Sequence, residues 1–347
     1  MEMAKGKIKV GIAGLGRSGW GIHQDLIAQL PDLYQIVAVF DQDAERMKEA
    51  NAKHGCAMHD SFKKLVNDPN VELVVNATPN KLHDKYSVEA MKAGKDVVCE
   101  KPMAVSLDSA KNMIECAKKT KRLLAPFQNR RYAYDFVKVR EVIESGVLGR
   151  VVQVRISFHG FSRRWDWQTL KKNGGGTLNN TGPHPLDQAV TLFGPKEPNV
   201  FCLRDKALTL GDADDHDKVI LYGKGSPTIE VEMTAANAYP QDNWLVMGTQ
   251  GSLTGTFTAL KWKYFDPKKL PKREVEDCPA PNRGYNSEKL EFIEGSWTQP
   301  ADLPNFGRQF YVDLHETIRK GKPLHITPES VLRQMKVLEK CRKMAPV

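Results

Sequence analysis

No stretch of this chain approaches the ~20 consecutive apolar residues that a membrane helix needs, so no membrane partner is expected. Cysteine is sparse: Cys56, Cys99, Cys116, Cys202, Cys278 and Cys341 are scattered, without a C-x-x-C pair. That usage excludes a disulfide framework or zinc ribbon and fits reduced thiols in a cytoplasmic protein. His54, Cys56 and His59 lie close together but match no recognised ligand spacing, so no metal is expected. There is no G-x-S-x-G, which removes the esterase reading. Repeats and low-complexity tracts are absent, and the charged first nine residues run into a strand, so no signal peptide is expected. Although the net charge is +9, no block of like charge occurs; the excess is +3 through residue 125 and +6 beyond it. A nucleic-acid partner is therefore not expected.

What is present is ordinary globular material: 347 residues, 41% hydrophobic and 27% charged, enough for two domains. Through residue 125, short apolar runs alternate with helix-like stretches. The runs are 8–12, 36–40, 73–75 and 96–99, and the helical stretches are 20–30, 44–53, 86–93 and 106–119. Near-continuous apolar strands between amphipathic helices predict a parallel sheet covered on both faces, an α/β doubly wound Rossmann domain over residues 1–125. Beyond Pro126 the strands at 151–158, 217–222 and 228–233 alternate in hydrophobicity, which predicts a mostly antiparallel sheet with one open face. Residues 126–347 are therefore read as a second, α+β domain for substrate binding and oligomerisation. Residues 266–304, rich in Pro, Gly, Lys and Glu, read as a surface excursion, and helices are predicted at 134–145, 309–320 and 328–344. An open sheet face needs covering, so a homodimer or homotetramer is expected.

Gly14-Leu15-Gly16-Arg17-Ser18-Gly19 matches G-x-G-x-x-G between the first strand and a helical stretch. Glycines there let the backbone approach a pyrophosphate, and the helix N-terminus supplies free N–H groups and partial positive charge. Asp41 closes the second strand, 22 residues after Gly19, where an acid meets ribose hydroxyls. A carboxylate accepts the 2′-hydroxyl and repels a 2′-phosphate, so NAD is expected in preference to NADP.

Glu100-Lys101-Pro102 follows the 96–99 strand at the sheet's carboxyl edge, and a glycine-rich segment runs from Gly174 through Asn180 and His184 to Asp187. Hydride transfer from a secondary alcohol needs a base for the hydroxyl proton. His184 is the natural base, and Lys101 can stabilise the developing alkoxide through a charged hydrogen bond. Asn180, four residues before His184 on an expected helical turn, could orient the imidazole or hold a second hydroxyl.

With the glycine turn, Thr78-Pro79-Asn80-Lys81-Leu82-His83, Gly94 to Cys99 and Ile326-Thr327-Pro328-Glu329, these motifs resemble the Gfo/Idh/MocA family, the glucose–fructose oxidoreductase and inositol dehydrogenase group. The likeness spans nearly the whole chain. It implies substrate lying between an open-faced sheet and the nicotinamide, with Lys101 and His184 on the family's lysine and histidine. Asn180 replaces the family's aspartate and cannot titrate near neutral pH. The resemblance also adds Thr78, Pro79, Asn80, His83 and Glu100 beside the cofactor, and Asn129 and Arg130 beside the substrate. Trp165 is an aromatic surface suited to a sugar ring.

The leading expectation is oxidation of a secondary hydroxyl on a sugar, inositol or glycoside, with the 3-hydroxyl of a glucosyl group first. The branch resemblance behind that choice rests on Gly182-Pro183-His184-Pro185 with Trp165 and Trp167. Two alternatives stand beside it: a redox-assisted lyase that retains NAD, and a sugar-responsive regulator, which the retention of Lys101 and His184 disfavours.

Overall fold

The computed structural model describes residues 6–279 and 283–347. The first five residues of the expected first domain, and 280–282 within the expected excursion, lie outside the described residues.

Six parallel strands form the first sheet: β1 (Ile8–Ala13), β2 (Tyr34–Phe40), β3 (Ala57–Met58), β4 (Leu73–Asn76), β5 (Asp96–Cys99) and β6 (Leu124–Pro126). Their order is β3-β2-β1-β4-β5-β6, so the chain reverses its winding between β1 and β4. A crevice opens at that reversal, outside the carboxyl ends of the strands, and there such sheets bind ligands. All of β4 and nearly all of β1 are buried, as the continuous apolar runs require. Crossovers are supplied by α1 (Asp25–Ala28), α2 (Ala44–His54), α3 (Phe62–Asn67), α4 (His83–Lys92) and α5 (Leu107–Thr120). Asp43 and Ser106 cap α2 and α5 by accepting N–H bonds from Glu45 and Ser109. The expected first helix is instead a π-helical segment, Gly19–Gln24, that tightens into α1.

The second sheet has eight strands in the order β14-β13-β12-β11-β7-β10-β9-β8. These are β7 (Val151–His159), β8 (Asn199–Asp205), β9 (His216–Tyr222), β10 (Thr228–Thr234), β11 (Trp244–Gly248), β12 (Gly251–Gly255), β13 (Ala259–Tyr264) and β14 (Ile293–Thr298). Only the β7–β10 pair is parallel. The inner face packs on α6 (Tyr134–Glu144), α7 (Thr177–Asn180) and α8 (Pro183–Phe193), together with part of the C-terminal helix. The architecture is α/β, as expected. One correction concerns residues 266–304: they are not all excursion, because 293–298 returns as the edge strand β14 on β13. Solvent on both sides of this edge leaves little hydrophobic alternation to read.

Two final helices, α9 (Gly307–Lys320) and α10 (Pro328–Met344), join the cores. Phe310, Tyr311 and Leu314 of α9, with Val331 and Met335 of α10, pack into the first core. Val337, Leu338 and Cys341 pack into the second. The first core thus draws on both ends of the chain, on either side of the expected boundary at 125. Among the described residues no helix is long and apolar enough to cross a membrane.

Candidate active site

The glycine turn leaves β1 at the winding reversal. Gly14 has φ +87°, and a Cβ there would stand 2.6 Å from the Ala77 carbonyl oxygen. At Gly19 a Cβ would fall 1.8 Å from the Gly14 carbonyl oxygen, so only glycine lets the π-helical segment close against the turn. Gly16 is different: its missing Cβ points into open space. Two glycines therefore serve close packing and the third leaves the turn's outer surface bare, which is what approach of a pyrophosphate requires. Arg17 is exposed and Ser18 half-buried on this loop. Asp41 accepts the Leu15 N–H at 2.6 Å and the Asp43 N–H at 2.9 Å, holding its carboxylate beside the turn. Arg46 approaches Asp41 at 3.9 Å. These residues fit a dinucleotide.

Residues after β4 make the crevice's other wall. Thr78 is buried and donates its hydroxyl to Asn76 Oδ1 at 2.7 Å, while Pro79 is exposed and Asn80 begins a 3-10 turn. His83 is buried, with its ring nitrogens 2.7 Å from the Pro102 carbonyl and 2.8 Å from that of Thr78. It thus ties the two loops that flank the crevice.

Glu100 and Lys101 leave β5 at the same edge. Glu100 is buried; its Oε2 accepts the Lys101 N–H at 2.8 Å and its Oε1 stands 3.3 Å from His23 Nε2. His23 belongs to the π-helical segment, and its Nδ1 pairs with the Tyr311 hydroxyl at 2.7 Å. Burial opposes the Glu100 charge. The close approach of His23, then the charge of Lys101, outweighs it and brings the carboxyl down to about 2.

Lys101 Nζ crosses to the second domain and donates to the Asn180 backbone carbonyl at 3.0 Å. Burial lowers the affinity of Lys101 for its proton, Glu100 opposes that shift, and Arg17 and Arg130 reinforce it. The same space holds His184, whose Nδ1 is buried without a hydrogen-bond partner. Burial, then the charges of Lys101 and Arg130, hold its imidazole neutral well below the ordinary 6.5. The structure therefore brings together Lys101, His184, the Asn180 backbone and Arg130.

The Asn180 side chain does not turn to His184; its Nδ2 points to the Gln168 carbonyl at 3.3 Å. Two short helices replace the expected single turn. Gly182 N–H bonds the Thr177 carbonyl, five residues back, at 3.0 Å, and Pro183 has no N–H to extend the ladder. That wider turn inserts a residue and takes Asn180 off the face of His184. Asn129 Nδ2 lies 3.5 Å from where a Cβ on Gly307 would stand, facing α9. Trp165 is 79% exposed.

Several supports have no sequence signal. Arg131 grips Asp187 with two bonds, Nε to Oδ2 at 2.7 Å and Nη2 to Oδ1 at 2.6 Å, and Gln128 donates to the Pro183 carbonyl at 2.7 Å. These bonds fasten the segment after β6 to α8 and so fix His184 over the Rossmann edge. Pairing Arg131 with Asp187 from sequence needs the packing of α8, and His23 is disclosed only by the π-helical winding.

A crevice at the winding reversal, a bare glycine turn and a lysine–histidine pair at the carboxyl edge define a dinucleotide-dependent oxidoreductase. The chain belongs to the GFO/IDH/MocA oxidoreductase family. Residues 8–127 match its NAD-binding Rossmann fold and 136–254 its C-terminal domain. The oxidoreductase YdgJ of Escherichia coli is 31% identical, over 96% of this chain and 94% of its own. The scyllo-inositol 2-dehydrogenase (NADP(+)) IolW of Bacillus subtilis is 28% identical, over 96% and 92% respectively. The crystal structure of an NAD-binding protein from Listeria innocua superposes with a TM-score of 0.81 at 25% identity, over 97% of this chain and 94% of that one.

Proposed function

We propose that this NAD-binding oxidoreductase oxidises a secondary hydroxyl of a sugar, inositol or glycoside, the 3-hydroxyl of a glucosyl group first among them. The observation that carries this reading is the meeting of Lys101 and an unpartnered, neutral His184 at the carboxyl edge of the Rossmann sheet. When bound, NAD supplies the hydride acceptor. His184, kept neutral by burial, accepts the hydroxyl proton. Lys101 donates a charged hydrogen bond to the oxygen as negative charge grows there. The Asn180 carbonyl holds the ammonium in place until the substrate oxygen takes over. The test is a panel of glucose, inositols and aryl glucosides with NAD, with the product carbonyl located by NMR. Activity confined to small non-cyclic alcohols rejects the substrate class, and oxidation at another ring position rejects the 3-hydroxyl.

Two expected results follow from the charges around Lys101, His184 and Asp41. Catalysis needs neutral His184 and protonated Lys101, and both groups hold their protons less tightly than usual. The acid limb of log kcat/KM should therefore fall below pH 6.5 and the alkaline limb below 10.5. An acid limb above 6.5 removes His184 as the base. Asp41 should make NAD bind more tightly than NADP, with Arg46 already turned toward carboxylates; its Nε is 3.4 Å from Asp43 Oδ2. Asp41→Ser frees Arg46 and removes the repulsion, so titration of the two cofactors should show the gap narrowing. Equal affinities in the unaltered protein end the claim.

A further inference from the structure

Among the described residues Arg130 has no hydrogen bond or ion pair to its guanidinium, and unlike Arg17 on the exposed glycine turn it is largely enclosed. It stands on the 3-10 turn Asn129–Tyr132, largely buried, over the rings of Phe158 at 5.3 Å and Phe257 at 5.2 Å. Its own carbonyl is fixed by Gln188 Nε2 at 3.1 Å, so the backbone beneath it does not drift. Arg131, next in sequence, shows the contrast: its fork is filled by Asp187, and Ser330 takes a third bond at 2.8 Å. The acid that acts on Arg130, Asp135, is itself engaged by Trp244 Nε1 at 2.7 Å.

The charge of Arg130 acts on both Lys101 and His184. Phe158, on which the guanidinium lies, also lines a cavity of about 150 Å³ shared with Asn180 and Gln168. Two carboxylates line that cavity, Asp214 and Asp215, and both are spent. Asp214 pairs with Arg204 and accepts the Leu178 N–H, while Asp215 accepts the N–H groups of Ala207, Leu208 and Thr209. Glu100 is held by His23 and the Lys101 backbone. Lys101 and Arg130 therefore act on one space in which each of these carboxylates already has hydrogen-bond or ion-pair partners of its own. A buried, unpaired guanidinium is unfavourable, and a planar fork on aromatic rings matches the two oxygens of an anionic group.

We propose that the substrate carries an anionic oxygen group, carboxylate or phosphate, on the same ring as the oxidised hydroxyl, and that Arg130 anchors it. This rests on the reading that Lys101 and His184 act on a sugar or polyol hydroxyl. The experiment measures binding of D-glucuronate, D-glucose 6-phosphate and D-glucose to the enzyme–NADH complex by calorimetry at 0.15 M NaCl. At least one anion should bind at least tenfold more tightly than glucose, and the tighter of the two identifies the group. Arg130→Gln should cut that preference below twofold, and Arg130→Lys should keep only part of it by retaining charge without the fork. NADH affinity reports whether each variant is folded. The proposal is overturned if neither anion binds better than glucose, or if the preference survives Arg130→Gln. Failure of the dehydrogenase reading shows differently, as no NADH formed from any sugar while the anion preference stands.

Discussion

Lys101→Met should lower turnover at saturating substrate by about two to three decades while NAD affinity changes little. The ammonium is carried into a largely enclosed site and its structural hydrogen bond goes to a neutral backbone carbonyl, that of Asn180 at 3.0 Å. A carbonyl is a weak competitor, so the donor is free to turn to an oxygen that becomes negative only as the reaction proceeds. An interaction made in the transition state and weak in the ground state appears in kcat more than in KM. His184→Ala should lower turnover comparably, because a positioned base contributes about 10²–10⁴. Residues that serve one proton transfer are not additive, so the double variant should be little worse than either single one. Steady-state rates, paired with fluorescence titration of NADH, separate chemistry from binding. Near-normal turnover in either single variant removes that residue from the reaction. The Lys101–Asn180 bond also joins the two domains, so the melting temperature of Lys101→Met should fall only slightly if the role is chemical.

The Rossmann half was legible because its constraints are local. A parallel strand buried on both faces can only be apolar along its length, and the turn after β1 can only be glycine where a Cβ would strike Ala77 or Gly14. Asp41 was legible by its spacing from Gly19 and Lys101 by its place just after a strand, whereas His184 stood out through the family resemblance of its glycine-rich segment. Of the second sheet's eight strands, three were read. β7, β9 and β10 alternate, but β11 and β12 are five residues each and border glycines, and β14 lies exposed in a polar, proline-rich stretch. The side chain of Asn180 does not reach His184 for a definable reason: i,i+4 spacing implies a shared face only in an unbroken α-helix, and Gly182-Pro183 breaks it. Partners that meet through tertiary packing, such as Glu100 with His23 or Arg131 with Asp187, leave no pattern in the sequence at all. Their residue types are ordinary, and only the distance between them in space gives them a role.

Glu100 supplies the last expected result, a loss of stability that is itself pH-dependent. Its carboxylate ties the end of β5 to the π-helical segment through His23 at 3.3 Å, and His23 continues the tie to Tyr311 of α9 at 2.7 Å. The Tyr34 hydroxyl donates to the Tyr311 carbonyl at 2.6 Å, so β2 joins the same buried chain. Leaving a buried polar group without its partner costs about 1–3 kcal/mol, and more where the group is charged. The carboxyl shift from 4.5 down to about 2 points to a similar size, about 3 kcal/mol at neutral pH. The folded value is depressed, so this stabilisation is present above pH 4.5 and is lost as pH falls toward 2. Glu100→Gln keeps the shape and one acceptor but cannot carry the charge. Calorimetric melting at pH 7 should show the variant less stable by about 3 kcal/mol, and at pH 3.5 by only about 2. The variant should also bind its Lys101 proton less tightly, because Glu100 is the group that opposes the loss, which moves the alkaline limb of kcat/KM further down. A stability gap that stays constant between the two pH values would mean that Glu100 contributes packing and not charge. An unmoved alkaline limb would mean that it does not act on Lys101.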